Sequence, residues 1–119
     1  VLEGRRQEIH PAAIGKAVGH VGATAMHLGA LGQSGDLSGA MLQATPFQAM
    51  MGHVCLALEA LDQARVARDR IEAGEDTPFL RGKVLNLTYF TNNLLPAAIA
   101  AGKAIQANDQ SCLDEILFA

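Results

Sequence analysis

The sequence predicts an all-α fold, a bundle of three long antiparallel helices followed by a short C-terminal helix. Half of the 119 residues are hydrophobic, yet there is no Trp and only one Tyr, a composition that favours closely packed helices over a sheet sandwich. In three separate stretches, apolar residues recur at alternating steps of three and four, the spacing of one helix face. A chain of this length fits a single domain, residues 1–119, without a need for disulfides or a metal.

The first helix is predicted over residues 8–32. The sequence GQSG from Gly32 to Gly35 ends it, and Asp36 can cap the next helix by accepting from free N–H groups. Its apolar stripe consists of Ile14, Val18, Val21, Ala25 and Leu28.

The second helix is predicted over residues 36–73 as one kinked helix, because the phase of its stripe passes through Pro46 unbroken. The alternative is a short helix that ends near Thr45, followed by a helix that begins at Pro46. Beyond Leu61 the stripe meets Arg65 and Arg68, so we expect the last turns to project into solvent. The stripe consists of Leu37, Ala40, Ala44, Phe47, Met51, Val54, Leu58 and Leu61.

The third helix is predicted over residues 78–107, with Asp76 or Thr77 as its cap and Pro78 at its first position, where a missing N–H has no cost. Pro96 lies off the stripe and is expected to bend the helix without disturbing its buried face. The stripe consists of Leu80, Val84, Leu87, Thr91, Leu94, Ala98, Ala101 and Ile105.

The short C-terminal helix is predicted over residues 111–117. Ser111 is followed three residues later by Asp114, the pattern of a capping box. We expect this helix to return Leu113, Leu117 and Phe118 to the bundle.

Two sets of residues are candidates for a contact with another domain or subunit. Gly15, Gly22 and Gly29 are spaced by seven along the first helix, so one flank lacks side chains; the close approach that this permits is either inside the bundle or to another domain. Arg81 and Lys83 lie near the start of the third helix, where the helix dipole disfavours cations. They either pair with Glu75 or Asp76 or meet an anion of a neighbouring domain.

Composition excludes several classes of function. The formal charge is −3, and the nine basic residues form no long cluster, so no nucleic-acid partner is predicted. The longest apolar run, residues 94–102, is too short to span a bilayer. Cys55 and Cys112 lack metal-type spacing, which indicates reduced thiols in a cytoplasmic protein. The opening VLEGRRQEIH has neither an initiator Met nor a cleavable apolar segment, so we expect the C-terminal piece of a longer chain.

No catalytic, cofactor-binding or metal-binding residue is predicted within the chain. His20 and His27 are two helical turns apart, about 10.5 Å by helical rise, which is too far to share one metal ion. A metal-binding bundle is therefore a weakly supported alternative. Cys55 flanks the second stripe and is expected to pack as a small hydrophobic residue.

The stretch FLRGKVLNLTYFTNNLLP, followed by AIQANDQSCLDEILF, resembles the C-terminal end of flavin-dependent acyl-CoA dehydrogenases that carry an additional helical domain, including methylmercaptopropionyl-CoA dehydrogenase-like enzymes. Such proteins show a Gly-Lys pair, aromatic residues, a Leu-Pro pair and a short segment with Asp, Ser and Leu before a terminal Phe. These positions are here Gly82, Lys83, Tyr89, Phe90, Leu95, Pro96, Asp109, Ser111, Leu113 and Phe118.

Upstream, TPFQAMMGHVCLALEALDQA resembles the second helix of the same domain. The chain departs from the pattern at His53, Val54 and Cys55, where relatives often place an aromatic pair, and at Leu80, where an aromatic residue is common. The resemblance therefore implies no substrate preference.

The resemblance implies a parent enzyme that binds FAD and oxidises an acyl-CoA to an enoyl-CoA, as in fatty acid metabolism. It places the catalytic glutamate and most FAD contacts in upstream catalytic domains of the same chain. This segment is then a non-catalytic domain that supports domain packing or oligomerisation, with a homo-oligomer expected. The alternative is a free-standing helical bundle for protein interaction or ligand binding.

Overall fold

The computed structural model describes residues 9–119 and contains no strand among them, which confirms the predicted all-α fold. The predicted start of the first helix, residue 8, lies outside the described residues. The helices are α1 (Ala12–Gln33), α2 (Leu37–Leu42), α3 (Ala44–Glu72), α4 (Pro78–Asn93) and α5 (Leu95–Gln106), followed by two short 3-10 helices, Ser111–Leu113 and Glu115–Phe118.

The three long helical runs follow an up-down-up path. α3 packs against both α4 and α5, and α1 lies mainly against α5. Thr24 of α1 forms a hydrogen bond with Gln106 at the end of α5, and Asp36, after α1, forms one with Gln110, after α5. α1 and α5 therefore run in the same direction. The molecule measures 66 × 27 × 18 Å. Because a helix with side chains is about 10 Å wide, the bundle is an elongated layer that is only about two helices thick.

Each of the two longer predicted helices is interrupted at one residue. Residues 36–73 are divided at Gln43, which separates α2 from α3 and places Pro46 in the first turn of α3, where its missing N–H needs no partner. This arrangement resembles the alternative with a short first helix, although the division falls before Thr45. Residues 78–107 are divided at Leu94, two residues before Pro96.

The buried stripe of α3 differs from the predicted one. Met51 and Leu58 are 40% and 42% exposed, whereas Met50 and Ala57 beside them are buried. The end of α3 does not project into solvent, which was a wrong prediction, because Ala64, Ala67 and Ile71 are buried in the core shared with α4. Small side chains at these positions allow the helix axes to approach closely, and this selects the alanine face over the leucine face.

The buried face of α1 contains a polar residue. Thr24 is fully buried; its hydroxyl donates to the His20 carbonyl at 2.6 Å and accepts from Gln106 Nε2 at 3.0 Å. Opposite it, a Cβ added to Gly102 would lie 3.1 Å from Thr24 Oγ1 and 2.7 Å from Met50 Cε. The predicted stripe residues Val18 and Ala25 are exposed instead, so α1 meets α5 through Ala17 and Thr24.

The short C-terminal helix predicted over residues 111–117 is not continuous. Two 3-10 turns replace it, and Leu113, Leu117 and Phe118 are exposed rather than packed on the bundle. The Ser111 hydroxyl donates to Asp109, while Asp114 accepts from the Ile116 N–H, so no capping box forms.

Gln110 anchors this C-terminal segment to the start of α2. Asp36 caps α2 by accepting from the Gly39 N–H at 2.9 Å, and its second carboxylate oxygen accepts from Gln110 Nε2 at 2.8 Å. The hydrogen bond from Gln110 and, second, the one from Gly39 hold the pKa of Asp36 below its ordinary value of 3.8. A side chain on Gly39 would collide with both Gln110 and Asp36, so glycine is required where these groups meet.

Replacement of Leu61 by Ala tests the position of the α3 stripe. Leu61 is 6% exposed and Leu58 is 42% exposed. We expect Leu61→Ala to lower the free energy of unfolding by about 2–5 kcal/mol and the matched Leu58→Ala to lower it by less than about 1 kcal/mol, measured by chemical denaturation. Equal losses would contradict the observed phase of the helix.

The Asp36 anchor predicts a pH dependence. A carboxylate whose pKa is depressed in the folded state stabilises that state fully above its ordinary pKa of 3.8, and the stabilisation is lost as the pH falls through the lowered value. Asp36→Asn keeps an acceptor for Gly39 but presents an amide to Gln110. We expect wild type to protect the Gly39 amide from hydrogen exchange better than this variant near neutral pH, with the difference disappearing in strong acid. A pH-independent difference would rule out this anchor.

Candidate docking face

One side of α1 faces away from the bundle and contains three glycines. A Cβ added at Gly15, Gly22 or Gly29 would meet no atom within 4 Å. The three glycines therefore do not serve close packing inside the bundle, and that interpretation is wrong. They lie on the exposed side of the helix.

The exposed side of α1 is apolar. Among the 22 residues of α1 there is one Lys, Lys16, and no Arg, Asp or Glu. Val18 is 44% exposed and Met26 is 78% exposed. We define the α1 docking face as the residues that share one arc of the helical projection: Gly15, Val18, Gly22, Met26 and Gly29.

The glycines lower the helix propensity of α1, and no close packing within the described residues offsets this cost. Each glycine in a helix interior costs about 1 kcal/mol relative to alanine, and α1 contains five. None of the five has an atom within 4 Å of the place where a Cβ would stand. The described residues therefore supply no close contact that compensates for these glycines.

Arg81 and Lys83 lie elsewhere, at the start of α4. The Arg81 guanidinium forms an ion pair with the Asp76 carboxylate through Nε and Nη2, which confirms one of the two predicted pairings. Lys83 donates instead to Gln63 of α3 at 3.0 Å and lies 5.2 Å from the centre of the Phe79 ring. The hydrogen bond from Lys83 to Gln63 joins α4 to α3, whereas the Arg81–Asp76 pair joins α4 to the loop before it. Neither Arg81 nor Lys83 belongs to α1.

The hairpin has an exposed apolar patch of its own. Val66 of α3 is 59% exposed, and Phe79 of α4 is 70% exposed. A groove of about 390 Å³ runs between the two helices, with Lys83 at its edge.

Cysteine and histidine form no reactive cluster in residues 9–119. Cys55 and Cys112 are exposed free thiols, so the predicted packing of Cys55 is wrong. No group of three potential metal-binding side chains occurs in this part of the chain. His27 Nε2 is buried there without a hydrogen-bond partner. None of the helices described is both long and apolar enough to cross a bilayer.

Sequence reasoning missed a cationic groove between α1 and the end of α5. It has a volume of about 590 Å³. The signal that could have revealed it is the absence of Asp and Glu from both helices, each of which carries one lysine. Its lining residues are Lys16, Gly19, His20, Ala23, Lys103, Gln106 and Ala107.

Comparison with known proteins identifies the family. The family model described as acetyl-CoA dehydrogenase C-terminal like matches residues 7–115. No curated protein and no solved structure gives a significant match. The match covers the helices of the bundle, the docking face and the cationic groove. The chain belongs to the acetyl-CoA dehydrogenase C-terminal-like family.

Proposed function

We propose that this chain is the non-catalytic C-terminal helical domain of an FAD-dependent acyl-CoA dehydrogenase. In such a parent enzyme a base removes the proton alpha to the thioester, and a hydride passes from the beta carbon to FAD, which gives an enoyl-CoA. The family match over residues 7–115 supports this assignment. Residues 1–119 then act as one packing domain appended to the catalytic part of the same polypeptide.

The α1 docking face carries the proposal. A helix side that exposes Met26 and three glycines, with no charged group among them, is suited to another helix or a backbone segment at short distance. The thin cross-section of the bundle, 27 × 18 Å, leaves this side without cover from its own helices. We propose that the upstream catalytic domains of the same polypeptide cover this side of α1.

The size of the docking face favours a tethered partner. A helix of 22 residues is about 33 Å long and about 10 Å wide, which gives a contact of about 330 Å². A stable interface between separate proteins buries about 800 Å² on each partner. A covalent link raises the effective concentration to the millimolar range, so a small face suffices within one polypeptide. Subunit contacts in a homo-oligomer need additional area, which the exposed Val66 and Phe79 of the hairpin can supply.

The described residues do not fit a flavin. An isoalloxazine ring needs an enclosed flat slot with donors at its edges, whereas the groove between α1 and α5 and the groove between α3 and α4 are both open to solvent. We therefore assign FAD and the catalytic base to the upstream domains.

A larger side chain on the α1 docking face should affect the stability of the domain and its attachment to the rest of the protein in opposite ways. Gly22→Leu introduces no clash within the domain and raises helix propensity, so we expect the domain itself to gain up to about 1 kcal/mol of stability. In the full-length protein the same leucine should hold the domain away from its partner. We expect faster proteolysis between the domains and weaker subunit association by sedimentation.

Gly52→Leu is the matched control. Gly52 is an exposed helical glycine of α3, also with no atom within 4 Å of an added Cβ, and it lies outside the docking face. It should leave domain attachment and assembly unchanged. If Gly22→Leu behaves like this control in the full-length protein, the docking role fails. Absorbance of the same preparations tests the flavin assignment separately.

A further inference from the structure

The second 3-10 helix, Glu115–Phe118, is an apolar segment that the bundle does not cover. We call it the tail helix. Asp114 caps it by accepting from the Ile116 N–H, and Gln110 links the preceding turn to Asp36. Exposed apolar side chains that are grouped in this way are suited to contact with another protein surface. These side chains are Ile116, Leu117 and Phe118.

The tail helix presents a carboxylate and an aromatic ring on one side. A 3-10 helix has three residues per turn and rises about 2 Å per residue, so residues three apart lie above one another, about 6 Å apart. Glu115 and Phe118 have this spacing, and both are exposed. Glu115 takes part in none of the ion pairs that join residues 9–119 to one another.

The α3–α4 hairpin presents the complementary pair. Phe79 and Lys83 are one turn apart on α4, about 6 Å by helical rise, and the Lys83 ammonium lies 5.2 Å from the centre of the Phe79 ring. Both line the groove of about 390 Å³ between α3 and α4, which we call the hairpin groove. Lys83 donates to the neutral amide of Gln63 and has no ion pair within the described residues. A carboxylate is therefore a favourable further partner for Lys83.

The other charges of the hairpin groove leave Lys83 as the place for a carboxylate. Asp62 and Arg70 lie on the α3 wall and have opposite charges, and Arg70 is already paired with Glu75. Val66 adds apolar surface to the same wall. The α4 wall, with its cation beside an aromatic ring, thus matches the tail helix in charge, in chemical character and in spacing.

The tail helix cannot enter the hairpin groove of its own chain. Lys83 lies about 35 Å from Gln106 by helical rise along α4 and α5. Gln110 is held at the far end of α5 by its hydrogen bond to Asp36. Even an extended chain from Gln110 to Glu115 spans at most about 18 Å, so a tail helix in this groove belongs to another molecule.

We propose that the tail helix of one copy docks into the hairpin groove of a second copy, with Glu115 beside Lys83 and Phe118 beside Phe79. When a two-fold axis relates the copies, each gives its tail helix and receives that of the other. The three apolar side chains of the tail helix expose roughly 400 Å² together. With a hairpin groove of similar extent, each copy buries roughly 800 Å², the area of a standard specific interface.

Charge exchange between copies of the full-length protein tests this contact. Lys83→Glu places two carboxylates together, and Glu115→Lys places two ammonium groups together. We expect each variant alone to self-associate at least about tenfold more weakly than wild type, measured by sedimentation at low ionic strength. In an equimolar mixture, both contacts between unlike copies again join opposite charges. The mixture should regain the wild-type affinity within about threefold, which also shows that both variants fold. A mixture as weak as its components would overturn the proposal.

Carbodiimide coupling locates the contact even where other surfaces also hold the subunits together. The reagent joins a carboxylate directly to an adjacent amine. In a mixture of isotopically labelled and unlabelled full-length wild type, we expect an amide bond between Glu115 of one copy and Lys83 of the other. Coupling of Glu115 only within its own polypeptide, or no coupling to Lys83, would overturn the proposal.

Phe118→Ala tests the apolar part of the contact, with Tyr89→Ala as the matched control. Tyr89 is an exposed aromatic residue of α4 that does not line the hairpin groove. We expect Phe118→Ala to weaken self-association of the full-length protein at least about tenfold and Tyr89→Ala to change it less than about twofold. Equal effects would contradict the contact. The proposal goes beyond the attachment of α1, because it uses other surfaces and another partner; flavin content and proteolysis between domains report the proposed function separately.

Discussion

Close packing along the small side chains of α3 determines the rest of the structure. Ala57 and Ala64 are completely buried, and Ala67 is 1% exposed. α3 contacts α4, α5 and α1, so it packs against every long element of the bundle. Because alanine permits short distances between helix axes, the neighbours lie on this face, and the longer side chains of Met51 and Leu58 are turned outward.

This packing has a consequence for the surface. Three helical runs that pack together at small residues form a thin layer. The outer sides of this layer are not covered by other helices among the described residues. The apolar side of α1, the apolar patch of the α3–α4 hairpin and the C-terminal Ile116 and Phe118 are all left exposed. Exposed apolar area on this scale is typical of a surface that meets another protein surface. The exposed faces and the family membership therefore lead to the same interpretation, a domain that is completed by a larger body.

Much of this fold could be predicted from residue spacing, including the buried stripe of α4 at Leu80, Val84 and Leu87, but the phase of α1 and α3 could not. In α3, both the set containing Leu58 and the set containing Ala57 follow steps of three and four, and hydrophobicity alone favours the leucine. The distance between helix axes is set by tertiary packing, so the sequence of α3 alone does not show that its alanine face is the buried one. The burial of Thr24 was not predicted, because a threonine is treated as polar and the sequence does not show the two hydrogen-bond partners of its hydroxyl.

The candidate contact residues divide in the same way. Gly15, Gly22 and Gly29 were recognised by their spacing, because a glycine repeat in a helix has a local cost that needs a reason. Lys16 and Lys103 are distant in sequence and line one groove because α1 and α5 run side by side. Arg81 was recognised by its position at a helix start, but the local pairing with Asp76 explains it.

α1 carries the candidate docking face and packs less extensively than α3. Three of its 22 residues are buried, compared with seven of 29 in α3, and its five glycines lower its own helix propensity. Packing inside the bundle therefore stabilises α1 less than it stabilises α3. Because no atom lies within 4 Å of a Cβ added at Gly22, a neighbouring backbone could approach α1 closely at this position.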